Sequence, residues 1–141
     1  MRKTILVLII ALGALMSGVA LAACGGGDSG SGDAVSSQEA TAEIDEIKTM
    51  LDDGLTKYRS GDADAAEQIV GDAYLEHFEK VEHPLEERDP ELMEKLEKRI
   101  STEIRDEMKS GTEADTIASL IDETKMDLDT AKAKLSEPES T

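Results

Sequence analysis

The feature that most restricts the fold of this chain is a nearly uninterrupted helical pattern from residue 38 to residue 135. Only Pro84 and Pro90 interrupt this region, and it contains no run of β-branched residues. Apolar residues recur there three and four positions apart, which places them on one face of an α-helix. Each helix then carries a single apolar stripe, which it must bury against other helices. The pattern predicts an all-α domain.

Four helices of about 20 residues each are predicted, at about residues 37–58, 62–82, 90–110 and 112–135. Short loops between amphipathic helices favour an antiparallel up-down-up-down four-helix bundle. The side chains predicted to point inward are Ile44, Ile47, Leu51, Leu55, Tyr58, Ala66, Ile69, Val70, Ala73, Tyr74, Phe78, Val81, Leu92, Met93, Leu96, Ile100, Ile104, Met108, Ile117, Leu120, Ile121, Thr124, Leu128, Ala131 and Leu135.

Short polar residues and glycines mark the expected helix ends. Gly61 and Gly111 are natural C-terminal caps because glycine adopts a left-handed backbone without strain. Pro84 is expected to stop the second helix, since it lacks an amide hydrogen. The candidate helix starts are Ser36 or Ser37, Asp62 or Asp64, Asp89 followed by Pro90, and Thr112 or Asp115.

The first 23 residues have the order of a bacterial lipoprotein signal peptide. Arg2 and Lys3 precede an apolar stretch over residues 4–20, and Leu21-Ala22-Ala23 then precedes Cys24, the only cysteine. We expect cleavage before Cys24, acylation of its thiol, and anchoring of the chain to the outer face of the cell membrane. The alternative is an ordinary cleavable signal with a stray cysteine.

The predicted organisation has four parts. The signal peptide covers residues 1–23, and a lipidated Cys24 begins a flexible, glycine- and serine-rich tether over residues 24–37. The four-helix domain covers residues 38–135, and a disordered tail follows over residues 136–141.

The chain is strongly acidic, with 32 aspartates and glutamates against 15 lysines and arginines and a formal net charge of -17. A field of this sign repels nucleic acid and anionic lipid headgroups, so no nucleic acid is expected as a partner. It favours cations and basic partners. The alternative is a solubilising surface with no specific partner.

The sequence lacks the residues that most kinds of catalytic site need. One cysteine excludes a cysteine-rich zinc or iron–sulfur site, and no glycine-rich loop follows a strand to cradle a nucleotide. Tryptophan is absent, and the only aromatic residues are Tyr58, Tyr74 and Phe78, which argues against a stacking platform for sugars or bases. No acid and base can be paired in a defined pocket, so no enzyme is predicted.

One candidate metal site lies in the second helix. Glu76, Glu79 and His83 are spaced three and four residues apart, which can bring them to one helix face. Carboxylates with an imidazole suit iron, zinc or manganese, so iron or another divalent or trivalent cation is the candidate ligand. The alternative is a solvated acidic face.

His77 falls inside the apolar stripe of the second helix. Such a histidine is usually a buried imidazole with a hydrogen-bond partner, here Tyr74 or a glutamate from a facing helix. A functional His77 would instead be a ligand inside the bundle, together with carboxylates such as Glu97, Glu103 or Glu107. The Glu-x-x-His pairs of ferritin-like di-iron bundles are absent.

Part of the chain resembles the extracytoplasmic helical domain of bacterial high-affinity iron permeases. The resemblance covers about residues 40–135 and is most specific over 55–105. The segments that carry it are 55–62 (LTKYRSGD), 70–79 (VGDAYLEHFE), Glu82, Pro84-Leu85, 88–92 (RDPEL), Leu96-Glu97 and Ile104-Arg105. The chain contains no counterpart of the permease's membrane helices with their Arg-Glu-Gly-Leu-Glu iron motif.

The resemblance implies a free-standing, lipid-anchored version of that accessory domain. It implies a link to iron uptake, through weak cation binding or docking on a permease. The alternative function is a structural or protein-interaction helical module of the cell envelope with no specific metal site. The expected partners are thus the membrane, through the lipid on Cys24, and an iron permease or other envelope protein.

Overall fold

Four helices make up most of residues 36–138, the part of the chain that the computed structural model describes. α1 is Ser37–Arg59, α2 covers residues 63–86, α3 covers 90–110, and α4 is Ala114–Ser136. The structure is therefore all-helical, as predicted. The predicted signal peptide, Cys24, most of the tether and the end of the tail lie outside the described residues.

Two of the four helices contain a π turn, in which the backbone hydrogen bonds close one residue later than in an α-helix. α2 consists of α-helix Ala63–Asp72, π turn Ala73–Phe78 and α-helix Glu79–Glu86. α3 is built in the same way, from Pro90–Lys98, Arg99–Glu103 and Ile104–Ser110. The stripes of apolar residues give no sign of these turns, and the sequence analysis did not predict them.

The first three helices begin on the expected kinds of cap, and α1 and α3 also end on them. Ser36 and Glu39 form a reciprocal capping box at α1, and the Asp89 carboxylate accepts a hydrogen bond from the Leu92 amide at 3.1 Å. Gly61 and Gly111 follow α1 and α3 with φ values of 88° and 75°, the left-handed conformation that a glycine cap supplies.

Two predicted boundaries are wrong. Pro84 lies inside α2, which continues to Glu86. Both Pro84 and Leu85 are buried, so packing against the core offsets the one backbone hydrogen bond that proline cannot donate. α4 starts at Ala114 after Glu113, which makes no side-chain capping bond, rather than at Thr112 or Asp115.

One apolar core lies between the helices. Every side chain predicted to point inward is buried or half-buried, and Phe78 is the largest that is fully buried. The one buried polar side chain among the described residues, Thr124, donates its hydroxyl hydrogen bond to the Leu120 carbonyl at 2.7 Å within its own helix. No helix in residues 36–138 combines the length and apolar character that crossing a bilayer requires.

Ion pairs line the seams on either side of α4. In both seams the residue numbers rise along one helix as they fall along its neighbour. The pairs between α1 and α4 are Asp45–Lys132, Lys48–Asp129, Asp52–Lys125 and Arg59–Asp115. The pairs between α3 and α4 are Asp89–Lys134, Lys95–Asp127 and Arg99–Glu123. Because most of these groups are partly exposed, each pair contributes less than about 1 kcal/mol, but together they favour one register.

α1 and α2 lie in close contact at Gly54, which is buried. A β-carbon added at Gly54 would lie 3.1 Å from a methyl carbon of Val70 and 3.5 Å from the Ala66 carbonyl oxygen. This glycine is therefore required for packing rather than for a turn, since its backbone is helical. Gly71 on α2 has more room, because its nearest neighbour would be the Arg105 guanidinium carbon at 3.5 Å.

Gly54→Leu should destabilise the fold by about 1–3 kcal/mol, because the larger side chain has to push α1 away from α2. Gly71→Ala is the matched control. It should leave the stability unchanged or raise it by up to about 1 kcal/mol, since alanine favours a helix over glycine. Urea unfolding followed by circular dichroism measures both. A Gly54→Leu variant as stable as the parent would show that the two helices are not closely packed there.

Candidate functional site

The three residues of the predicted metal site all lie on the solvent side of α2. Glu76 is in the π turn, and Glu79 and His83 are in the α-helical segment that follows it. All three are exposed, and His83 Nε2 lies 3.7 Å from Glu87 Oε1, one helical turn further on. Across residues 36–138 the structure brings no three histidine, cysteine, aspartate or glutamate side chains together in an arrangement that could hold a metal ion.

His77 bonds to a glutamate of the facing helix α1. Its Nδ1 lies 2.6 Å from Glu43 Oε2, and only 19% of the histidine side chain is exposed. Lys80 donates a second hydrogen bond to the same carboxylate at 3.1 Å. Partial burial acts to raise the pKa of Glu43, but the bonds from His77 and Lys80 outweigh it and hold the pKa below its ordinary value.

The glutamates considered as further ligands of His77 have other neighbours. Glu103 pairs with Arg99 at 2.7 Å, and Glu107 accepts a hydrogen bond from the Thr112 hydroxyl at 2.5 Å. Glu97 lies near Glu82 instead, on the side of the bundle where α2 meets α3. The contacts of His77 are therefore those of a histidine that ties α1 to the π turn of α2.

A second group of carboxylates surrounds Glu82 at the contact between α2 and α3. Its Oε1 atom is buried without a hydrogen-bond partner, and the Tyr74 hydroxyl faces the carboxyl group. Burial raises the pKa of Glu82, the Tyr74 hydroxyl only partly opposes this, and nearby Glu97 and Glu79 raise the pKa further. Burial and the charge of Glu82 also raise the pKa of Tyr74 to about 12.

Glu82 was not among the candidate residues predicted from the sequence, although its position beside the apolar stripe indicated partial burial. Glu82 lies four residues after Phe78 and next to Val81, so it borders the apolar stripe of its helix. When the apolar stripe packs into the core, a carboxylate at its border becomes partly buried as well. Glu43 was missed for a different reason, because it lies 34 residues from His77 and only the packing of α1 on α2 joins them.

An open groove of about 380 Å³ lies between α3 and α4. Arg99 and Glu103, the two ends of the α3 π turn, form one wall together with Glu107. Residues of α4 complete it: Thr116, Ser119, Leu120 and Glu123. The lining of this groove thus contains one apolar side chain, Leu120, and three carboxylates against one guanidinium group.

Replacing Glu82 with glutamine should stabilise the fold at neutral pH. The folded-state pKa of Glu82 is raised, so folding favours its neutral form; that stabilisation is present below about pH 4.5 and is lost as the pH rises through the folded pKa. A Glu82→Gln variant avoids this loss. Its melting temperature should exceed that of the parent at pH 7, and the difference should shrink as the pH falls towards 4.

The matched control is Glu86→Gln, which removes the same charge from an exposed position one turn away. It should show a smaller difference from the parent at pH 7. Equal effects of the two variants would mean that the general acidity of the surface, and not the burial of Glu82, determines the result.

Comparison of the chain with protein-family models, with curated proteins and with solved structures finds no match. The arguments about function therefore rest on the residues of the bundle and on their arrangement.

Proposed function

We propose that this chain is a lipid-anchored, extracytoplasmic four-helix module that docks on another protein of the cell envelope through its acidic surface. The signal-like segment before Cys24 supports the anchor, because acyl chains on that thiol would hold the domain at the outer face of the membrane. The glycine- and serine-rich segment that follows would give the domain freedom to reach a partner.

The docking proposal rests mainly on one observation: most basic residues of the bundle form ion pairs with carboxylates of the same chain. Eleven lysines and arginines in residues 36–138 form ion pairs with carboxylates of the same chain. Since acidic residues outnumber basic ones by 32 to 15, many carboxylates remain without a cation. Such a surface steers positively charged partners towards itself and repels anionic ones.

The order of the ion pairs supports an up-down-up-down arrangement of the four helices. Along both seams of α4 the pairs run in opposite directions, from Asp45–Lys132 to Asp52–Lys125 and from Asp89–Lys134 to Arg99–Glu123. In such a bundle the short loops at residues 60–62 and 111–113 lie at one end, and the loop at 87–89 lies at the other end with both termini of the domain. A tether before α1 would therefore leave the sides of the bundle open to a partner.

The proposed partner for docking is an iron permease, because the sequence resembles the outer domain of such permeases. Docking on it would link the chain to iron uptake. Weak cation binding is the other route to the same function. The crowding of Glu79, Glu82 and Glu97 supports general attraction of cations to this side of α2. A defined metal site has less support, since Glu76, Glu79 and His83 are exposed and are not gathered around one point.

Photo-crosslinking in the parent bacterium tests the docking proposal. Leu75 and Met126 are 59% and 71% exposed, so a photoreactive amino acid at either position leaves the core intact. We expect at least one position to give a discrete adduct with an envelope protein, identified by mass spectrometry. Cys24→Ser is the control and should release the chain from the membrane and abolish the adduct. Absence of any protein adduct from both positions, in correctly folded anchored chains, would contradict docking.

Calorimetric titration with ferric citrate, ferrous iron, zinc and calcium separates docking from metal binding. We expect weak binding of every cation alike, screened by salt, and no change in the Glu79→Ala, His83→Ala double variant. Saturable one-to-one binding of iron or zinc that the double variant loses would instead establish the metal site predicted from sequence.

A further inference from the structure

We propose that the groove between α3 and α4 receives a lysine or arginine side chain of the docking partner. The inference deepens the proposed function, since it names the chemistry by which a partner would be recognised. It rests on three features of the groove: the π turn of α3 that lines it, the guanidinium group already bound there, and a carboxylate that pairs with no cation.

The π turn in α3 forms part of one wall of the groove. The two α-helical segments of α3, Pro90–Lys98 and Ile104–Ser110, both pack against α4. Between these segments lies the π turn Arg99–Glu103, whose two end residues line the groove with long charged side chains. Turns of this kind are frequent at functional sites because they redirect side chains that a regular helix would pack.

The groove already holds one guanidinium group. Arg99 Nε lies 2.7 Å from Glu103 Oε2, and its Nη1 lies 3.4 Å from Glu123 Oε2, so the side chain bridges the two walls. Only 15% of the Arg99 side chain is exposed. The carboxylates of the two walls therefore already bind one planar cation. The half-buried Leu120 offers an apolar surface for the methylene groups of an incoming lysine or arginine side chain.

One carboxylate of the groove remains available. Within the described residues, Glu107 forms no ion pair and accepts a hydrogen bond only from the neutral Thr112 hydroxyl. The hydroxyl-bearing Thr116 and Ser119 stand on the α4 side of the same cavity. A second cation entering beside Leu120 would meet the Glu107 carboxylate and leave the Arg99 bridge in place. Three glutamates against one arginine make the groove complementary to a basic side chain.

Nuclear magnetic resonance titration with the peptide acetyl-Gly-Arg-Gly-Lys-Gly-amide tests this inference on the chain without residues 1–23. At 0.15 M salt, where exposed charges are screened beyond about 8 Å, we expect amide shifts confined to the groove residues. Glu107→Gln should weaken binding about five-fold, the effect of losing one charge-assisted contact at a partly exposed site. The equal-charge control is Asp122→Asn, at an exposed residue of α4 that does not line the groove, and it should change binding less than about two-fold.

Shifts spread over all acidic faces, or equal weakening by the two variants, would overturn the inference and leave only diffuse attraction. The crosslinking experiment distinguishes this failure from failure of the proposed function. If the anchored chain captures a partner and Glu107→Gln leaves that capture unchanged, docking stands and the groove is not its site. If the peptide binds the groove but no partner is captured, the groove chemistry stands and the docking function fails.

Discussion

The burial of one apolar stripe from each helix in a shared core is the constraint on which the rest of this structure depends. None of the four helices is apolar on all sides, so none can remain folded without the others. The contact at Gly54 shows how tightly α1 and α2 are joined, since even one added carbon would meet Val70 at 3.1 Å. With the apolar faces turned inward, the charged faces form most of the outer surface.

The two π turns determine where that surface departs from a regular bundle. In α2 the π turn contains both Tyr74, which stacks on Phe78 and faces Glu82, and His77, which bonds to Glu43. In α3 the π turn carries Arg99 and Glu103, which line the groove. Polar groups are thereby brought to the edge of the core in both helices. Beside the π turn of α2, one buried carboxylate oxygen of Glu82 is left without a hydrogen-bond partner, which is unfavourable for folding.

Charge links this architecture to the function we propose. Most basic residues of the described part of the chain lie where two helices meet. There they pair with carboxylates of the neighbouring helix and favour one register. The acidic excess is left facing the solvent, and this suits a domain that meets basic groups of a partner at the cell surface. A docking module needs no catalytic pocket; it needs a rigid scaffold, and a filled core supplies one.

The sequence by itself determined what depends on neighbouring residues in the chain. The helical stripes, the capping of α1 by Ser36 and the glycine ends are local, because three or four residues suffice to create each of them. Pro84 was misjudged because its local rule competes with burial beside Leu85, which only packing provides. The Glu43–His77 bond, the burial of Glu82 and the groove between Glu107 and Glu123 were decided by tertiary structure, since each joins or shelters groups on different helices and depends on how those helices approach each other.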